Sequence, residues 1–243
     1  MLRYFLILLA FSPFFLLPRA GFPDILVDDM LVLKGDEAML SAQTRGRFFK
    51  AGGRLVEFSV NGKSLGRSLS GGDGVAYKQF TPLKTGLFKI SVTSGEDDNT
   101  GLLLSLKKGD KIIFIDVEGS LFDGIFAQKP KEGSQEVIEK LSKKFPVVFL
   151  QTGLLSIKVL KPWLKENRFV ALPVLAWEEG KLFDDINKKG LKIKALIGHQ
   201  SVIGSAQEYK PQSFSFEEAE DAVVVKNWEE IGEMLLKGKK SSH

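Results

Sequence analysis

The chain has 243 residues, 44% of them apolar, with a formal net charge of +4. This length bounds it at one or two domains with a sizeable core. The absence of cysteine excludes thiol catalysis, disulfides, cysteine-zinc sites and a lipid-modified cysteine anchor. Lysine and arginine are interspersed with acids and form no stripe with interleaved aromatics, so no nucleic-acid partner is expected.

Arg3 precedes an almost unbroken apolar run over residues 4–17, shorter than the roughly 17–25 residues a spanning helix needs. It reads as an export signal over residues 1–20, cut after Ala20. Pro18 disfavours that cut, and a retained N-terminal anchor is the alternative. Removal takes away Arg3 and Arg19 and leaves a nearly neutral chain. The expected location is periplasmic or secreted, or the envelope if the segment is uncleaved. Membrane contact is expected only in the uncleaved case.

Residues 25–106 alternate apolar and polar positions in short runs bounded by turns, with no helical period. Val56, Phe58 and Val60 fall on one face, Phe88, Ile90 and Val92 on another, and Asn61-Gly62 is a strong hairpin signal. A small all-β sandwich is expected over residues 21–107. Residues 58–62, 73–76 and 86–92 resemble the F-x-V-N-G, D-G-x-A and G-x-F-x-I-x-V segments of bacterial immunoglobulin-like domains. The resemblance covers most of residues 25–106 and implies a spacer or adhesion module.

After Lys107-Lys108-Gly109 the pattern becomes strand then helix, repeatedly. A strand ends on Asp116, and a helix over 134–145 follows, with Val137, Ile138, Leu141 and Phe145 as its apolar stripe. Then come a strand at 146–152, a helix at 155–167 interrupted near Pro162, a strand at 169–177 and a short helix at 182–189. A strand at 193–198, a helix at 201–209, a strand at 222–226 and an amphipathic helix at 228–237 complete the series. This alternation predicts a parallel sheet with helices on both faces over residues 108–236, and a polar tail at 237–243.

The apolar run at 112–115 stops abruptly on Asp116. An acid there either serves a ligand site at the carboxyl end of a parallel strand or caps the next turn, with Gly119 at positive φ. Thr152 and Gly198-His199 end two further strands, and parallel pairing puts all three on one edge. An acid, a hydroxyl and polar loop amides converging in this way suit phosphoryl transfer. His199 is expected to be a hydrogen-bonding or surface residue rather than a metal ligand. No glycine-rich nucleotide loop follows any candidate strand.

Asp116, Val117, Glu118, Gly119, Ser120 and Leu121 resemble the first motif, D-x-D-x-T/V-L, of the haloacid-dehalogenase-like hydrolase superfamily, and Thr152 matches the second. The resemblance covers about residues 110–236 and implies a capless three-layer α/β domain of phosphatase ancestry. It implies Asp116 as nucleophile and magnesium ligand, Glu118 as acid/base, Thr152 and Gly153 as phosphate contacts and a third-motif lysine, best placed at Lys181 with Lys188, Lys189 and Lys192 competing. Residues 198–203 lack both acids of the fourth motif, which leaves Mg2+ weakly held. The extra methylene of Glu118 displaces its carboxyl by about 1 Å. The expected function is therefore an exported envelope protein with a catalytically impaired domain acting as a binding module. The alternative is an active magnesium-dependent phosphomonoesterase using an aspartyl-phosphate intermediate. Expected partners are an envelope protein or a bulky phosphorylated ligand.

Overall fold

The computed structural model describes residues 25–45, 52–124 and 129–237; the export segment expected at 1–20 and tail residues 238–243 lie outside them. The first eight strands are β1 (Ile25–Val27), β2 (Met30–Leu33), β3 (Ala38–Thr44), β4 (Leu55–Val60), β5 (Lys63–Leu69), β6 (Val75–Phe80), β7 (Gly86–Ser94) and β8 (Asp97–Leu106). They form two sheets, ordered β1-β3-β6 and β2-β8-β7-β4-β5. This is the two-sheet all-β sandwich expected. Alternation explains it, because Val56, Phe58, Val60, Ile90 and Val92 all turn inward to one core. Asn61 and Gly62 have φ of 49° and 80°, the left-handed pair that a two-residue hairpin with matching twist requires.

Strands β2 and β8 pair in parallel, and the paired stretch of β8, Leu103–Leu106, is buried throughout. Val32 and Leu103 enter the sandwich core, whereas Leu31, Leu33, Leu104 and Leu106 enter a second core shared with the rest of the chain. The run Leu102-Leu103-Leu104-Ser105-Leu106 is apolar nearly throughout for this reason.

The second half comprises β9 (Lys111–Asp116), α1 (Val117–Ser120), α2 (Ser134–Ser142), β10 (Val147–Gln151), α3 (Ile157–Glu166), β11 (Val174–Ala176), α4 (Leu182–Lys188), β12 (Lys192–Ile197), α5 (Gln200–Ser205), β13 (Gln212–Ser215), β14 (Val223–Val224) and α6 (Trp228–Leu236). Its six strands run parallel in the order β11-β10-β9-β12-β13-β14. Successive strands spread to one side from β9 and then to the other from β12, so the winding reverses between these two neighbours. Ile113 and Ile115 face α2, α3 and α6 through Ile138, Leu160 and Trp228. Ile112 and Phe114 face α4 and α5 through Phe183, Ile186 and Ile203, together with the four leucines of β2 and β8.

Several elements differ from the sequence expectation: α1 (Val117–Ser120) was not anticipated, and the strand expected at 222–226 is only Val223–Val224. The strand expected at 169–177 is reduced to Val174–Ala176, since Pro173 has no N–H to give a ladder. The helix expected at 201–209 splits into α5 and a single 3-10 turn, Gln207–Tyr209. Strand β13 was not anticipated, because Phe214 is its one large apolar residue; Ser213 and Ser215 are nevertheless buried.

A carboxylate ties the two halves together. The side chain of Asp29, between β1 and β2, is 1% exposed and accepts from Lys161 Nζ of α3 at 2.6 Å. It also accepts from the amides of Leu102 in β8 at 2.7 Å and Val174 in β11 at 2.8 Å. Burial pushes the Asp29 carboxyl above its ordinary value and outweighs the opposing pull of Lys161 and both amides.

Candidate functional site

The winding reversal brings three loops to one edge of the parallel sheet, and Asp116 sits at their meeting point. It is fully buried and N-caps α1, accepting from the Gly119 amide through Oδ1 at 3.0 Å. The same oxygen accepts from the Thr152 hydroxyl at 2.5 Å. Oδ2 accepts from the His199 amide at 3.2 Å and lies 3.1 Å from His199 Nδ1. A carboxylate can only accept, so the ring donates from Nδ1 and leaves Nε2 outward. Four donors thus occupy the roughly four lone-pair positions of the carboxylate.

The glycines here allow backbone to approach that acid. A Cβ on Gly119 would overlap both the Asp116 carboxylate and the His199 ring, and one on Gly198 would lie 2.6 Å from Asp116 Cβ. Gly119 is not among the positive-φ residues; it is glycine for lack of space, and Asp116 is the cap that one sequence reading allowed. Ser120 supports the turn by donating to the Asp116 carbonyl at 2.5 Å, and the buried Trp228 indole donates to the Ser120 carbonyl at 3.1 Å.

Glu118 has a separate job. Its Oε2 accepts from the Gly153 amide at 2.6 Å and its Oε1 from the Leu155 amide at 3.0 Å, so it clasps the loop after β10. Gly153 has no room for a Cβ, which would stand 2.5 Å from the Glu118 carboxylate. Lys181 is not brought to this edge contact: it is 65% exposed and pairs with Glu178 at 2.6 Å. The structure therefore joins Asp116, Thr152 and His199 in one knot, sets Glu118 and Gly153 beside it in a second, and leaves Lys181 apart. Sequence reading placed His199 on this edge but did not connect it to Asp116. The available signal was the strand-end pair Gly198-His199, directly beside β9 in the sheet order.

Burial pushes the Asp116 carboxyl up, yet the bonds from the His199 ring, Thr152 and the Gly119 and His199 amides hold it below its ordinary value. The bond to Asp116 raises His199 against the opposing effect of burial, with further help from the charges of Asp116, Glu217 and Glu118. The signs differ in pH. Asp116 contributes stability that is present above 3.8 and lost as pH falls through its lower folded value. His199 contributes stability that is full below 6.5 and lost as pH rises through its higher folded value. Urea midpoints measured from pH 5 to 9 are therefore expected to fall more on the alkaline side in the native chain than in His199→Gln. The two profiles should run parallel if the pair does not couple to folding.

The site does not fit a magnesium ion. That cation needs several oxygen ligands in octahedral array, and no group of three or more acids or histidines able to hold a metal occurs among the described residues. Asp116, the buried carboxylate of this site, already accepts four hydrogen bonds from within the chain.

No family model matches the chain, and no curated protein does. Among solved structures it is similar to fibronectin-III-like modules of Clostridium thermocellum CbhA, with 12% identity over 34% of this chain and 97% of that one, TM-score 0.27. The D0-D1 domain of intimin gives 15% identity over 38% and 56%, TM-score 0.30. The CARDB domain of PF1109 from Pyrococcus furiosus gives 18% identity over 35% and 96%, TM-score 0.27.

The haloacid-dehalogenase reading is corrected on these findings. Neither a family model nor any of the similar structures above belongs to that superfamily. The geometry gives a physical reason why its motif misled. An apolar strand ending in Asp, followed by a short polar turn, is equally the pattern of a helix N-cap. In the fold Asp116 and Glu118 both accept from the protein's own N–H and O–H groups. The hydrolase and phosphatase reading of the domain is withdrawn with it.

Proposed function

We propose that this chain is a noncatalytic binding module of the cell envelope, in which the edge of the sandwich recognises another envelope protein. The observation that carries this reading is the saturation of Asp116 by four donors of its own chain, which makes it a clamp on three loops and not a reagent. An envelope location is supported by the apolar run at residues 4–17. No helix among the described residues is long and apolar enough to cross a membrane. In this reading residues 21–107 are the recognition domain and residues 108–236 its support, the two joined through Asp29 and the shared core.

The recognition edge is β5, which ends the five-stranded sheet with β4 as its ladder partner among the described residues, while Lys78 Nζ of β6 donates to the Arg67 carbonyl at 3.3 Å. Leu69 on β5 and its cross-strand partner Leu55 on β4 are 64% and 48% exposed. An apolar pair beside an unpaired strand edge is a surface that a protein partner can extend and cover. A photo-crosslinking side chain at Leu69 of the full chain, irradiated in the host envelope fraction, is expected to give a discrete protein adduct that Leu55→Glu diminishes about tenfold. No adduct, or hydrolysis of a generic aryl phosphate that Asp116→Ala abolishes, would overturn the reading.

A further inference from the structure

The three-stranded sheet β1-β3-β6 turns its outer face to solvent, on the other sheet from β4 and β5. Along β3 and β6 the positions Ala38, Leu40, Ala42 and Ala76 are buried in the sandwich core, so Met39, Ser41, Gln43, Val75, Tyr77 and Gln79 point outward. None of these six is charged. Tyr77 stands at their centre: Ser41 is its cross-strand partner, and Met39 and Gln43 are its diagonal neighbours. It is 50% exposed, and its hydroxyl has no hydrogen-bond partner among the described residues.

The polar groups around that ring are already aimed, because three charged side chains at the rim each hold one of them. Arg45 Nε and Nη2 donate to Gln43 Oε1 at 3.3 and 3.0 Å, which leaves the Gln43 side-chain N–H groups as donors for a ligand. Gln79 Nε2 donates to Glu37 Oε1 at 3.0 Å, which leaves Gln79 Oε1 as an acceptor. Ser41 donates to Asp28 Oδ2 at 2.5 Å, and its own oxygen keeps acceptor capacity. The rim charges thus orient neutral groups, and side chains fixed before a ligand arrives lose little further entropy on binding it.

We propose that this face binds an uncharged, hydroxyl-rich glycan, with one sugar ring laid on Tyr77 and its hydroxyls bonded to Gln43, Gln79 and Ser41. A sugar ring is apolar on its C–H face and both donor and acceptor at its edge, which matches an aromatic ring set among amides and a hydroxyl. Tyrosine also supplies wide contact with only two χ angles to fix. Other occupants fit worse. A protein interface covers roughly 800 Å2 on each partner around an apolar centre, whereas this face offers one ring, one methionine and one valine among polar groups. An anionic polymer or bilayer is held by outward cations, and the six outward positions supply none. The inference goes beyond the protein-binding edge at β5 and does not depend on it.

The chain has three tyrosines, Tyr4, Tyr77 and Tyr209, so biosynthetic fluorotyrosine gives the full chain three fluorine NMR reporters. Tyr77→Phe assigns the reporter at 77 by removing it, and the one at 209, in the α/β half, is the internal control. The neutral probes are cellohexaose, chitohexaose and maltohexaose, with hexagalacturonate as the charged comparison, each titrated to roughly 10 mM because a small open site binds weakly. A saturable shift at 77 with at least one neutral probe, none at 209, and no weakening by added salt are expected. Gln43→Ala should raise the apparent Kd roughly fivefold or more while the 209 signal keeps its native position, and Leu69→Ala should leave the Kd unchanged. The proposal is overturned if no neutral probe moves the 77 signal, if 209 moves equally, or if only the charged probe binds. It is equally overturned if salt abolishes the shift or if Gln43→Ala leaves the Kd as it was.

Discussion

Asp116→Ala is expected to lower the free energy of unfolding by about 3–5 kcal/mol, the range found when one partner of a buried charged pair is removed. The substitution strands the Thr152 hydroxyl, the Gly119 amide, and the amide and ring of His199. Each stranded donor costs about 1–3 kcal/mol when sealed from water, but the losses do not add fully. The His199 side chain is 46% exposed and can turn to solvent. Asp116→Asn should fall between, because its carbonyl can keep Thr152 and Gly119 while its amide N–H faces the two donors of His199. Urea unfolding at pH 6 measures both. A loss under about 1 kcal/mol for the alanine variant would show that the three loops hold without the acid.

Asp29→Ala is expected to cost about 3 kcal/mol, because it removes the acceptor for two backbone amides in different halves and frees Lys161. Lys161 itself is 28% exposed and recovers part of its hydration, which keeps the effect below the top of that range. Asp29→Asn should cost less, since one oxygen is retained. The acids also differ in sign: the Asp29 carboxyl is raised by folding, so its contribution falls as pH rises from 3.8 through the folded value, opposite to Asp116. Unfolding should remain a single transition in both variants, because Leu31, Leu33, Leu104 and Leu106 still join the halves. Two separated transitions in the native chain, or a midpoint unmoved by Asp29→Ala, would mean that the halves are only loosely coupled.

Much of the architecture was legible because burial writes itself into local period. The alternation around Phe58 and Ile90 marked the sandwich, and the Asn61-Gly62 pair marked its hairpin. Apolar runs such as 112–115 marked strands covered on both faces. Legibility failed where a strand is short and polar, as at β13, and where a proline cut one down, as at β11. It failed differently at Glu118, whose type and position suggested proton transfer. Its two oxygens in fact bind the amides of Gly153 and Leu155, partners 35 and 37 positions away. No local pattern encodes a bond of that span. Asp29 gave no signal at all, for its three partners are 73 to 145 positions distant.

Side-chain order along the chain by itself determined that there would be a β half and an alternating α/β half, and that an acid, a hydroxyl and a histidine would end parallel strands on one edge. Those features depend on periodicity and strand direction, which are properties of near neighbours. Only the tertiary structure decided what the acid is for. Whether a carboxylate is a reagent or a clamp depends on how many donors reach it, and donors from Gly119, Thr152 and His199 converge on Asp116 only once three separate loops are folded against one another.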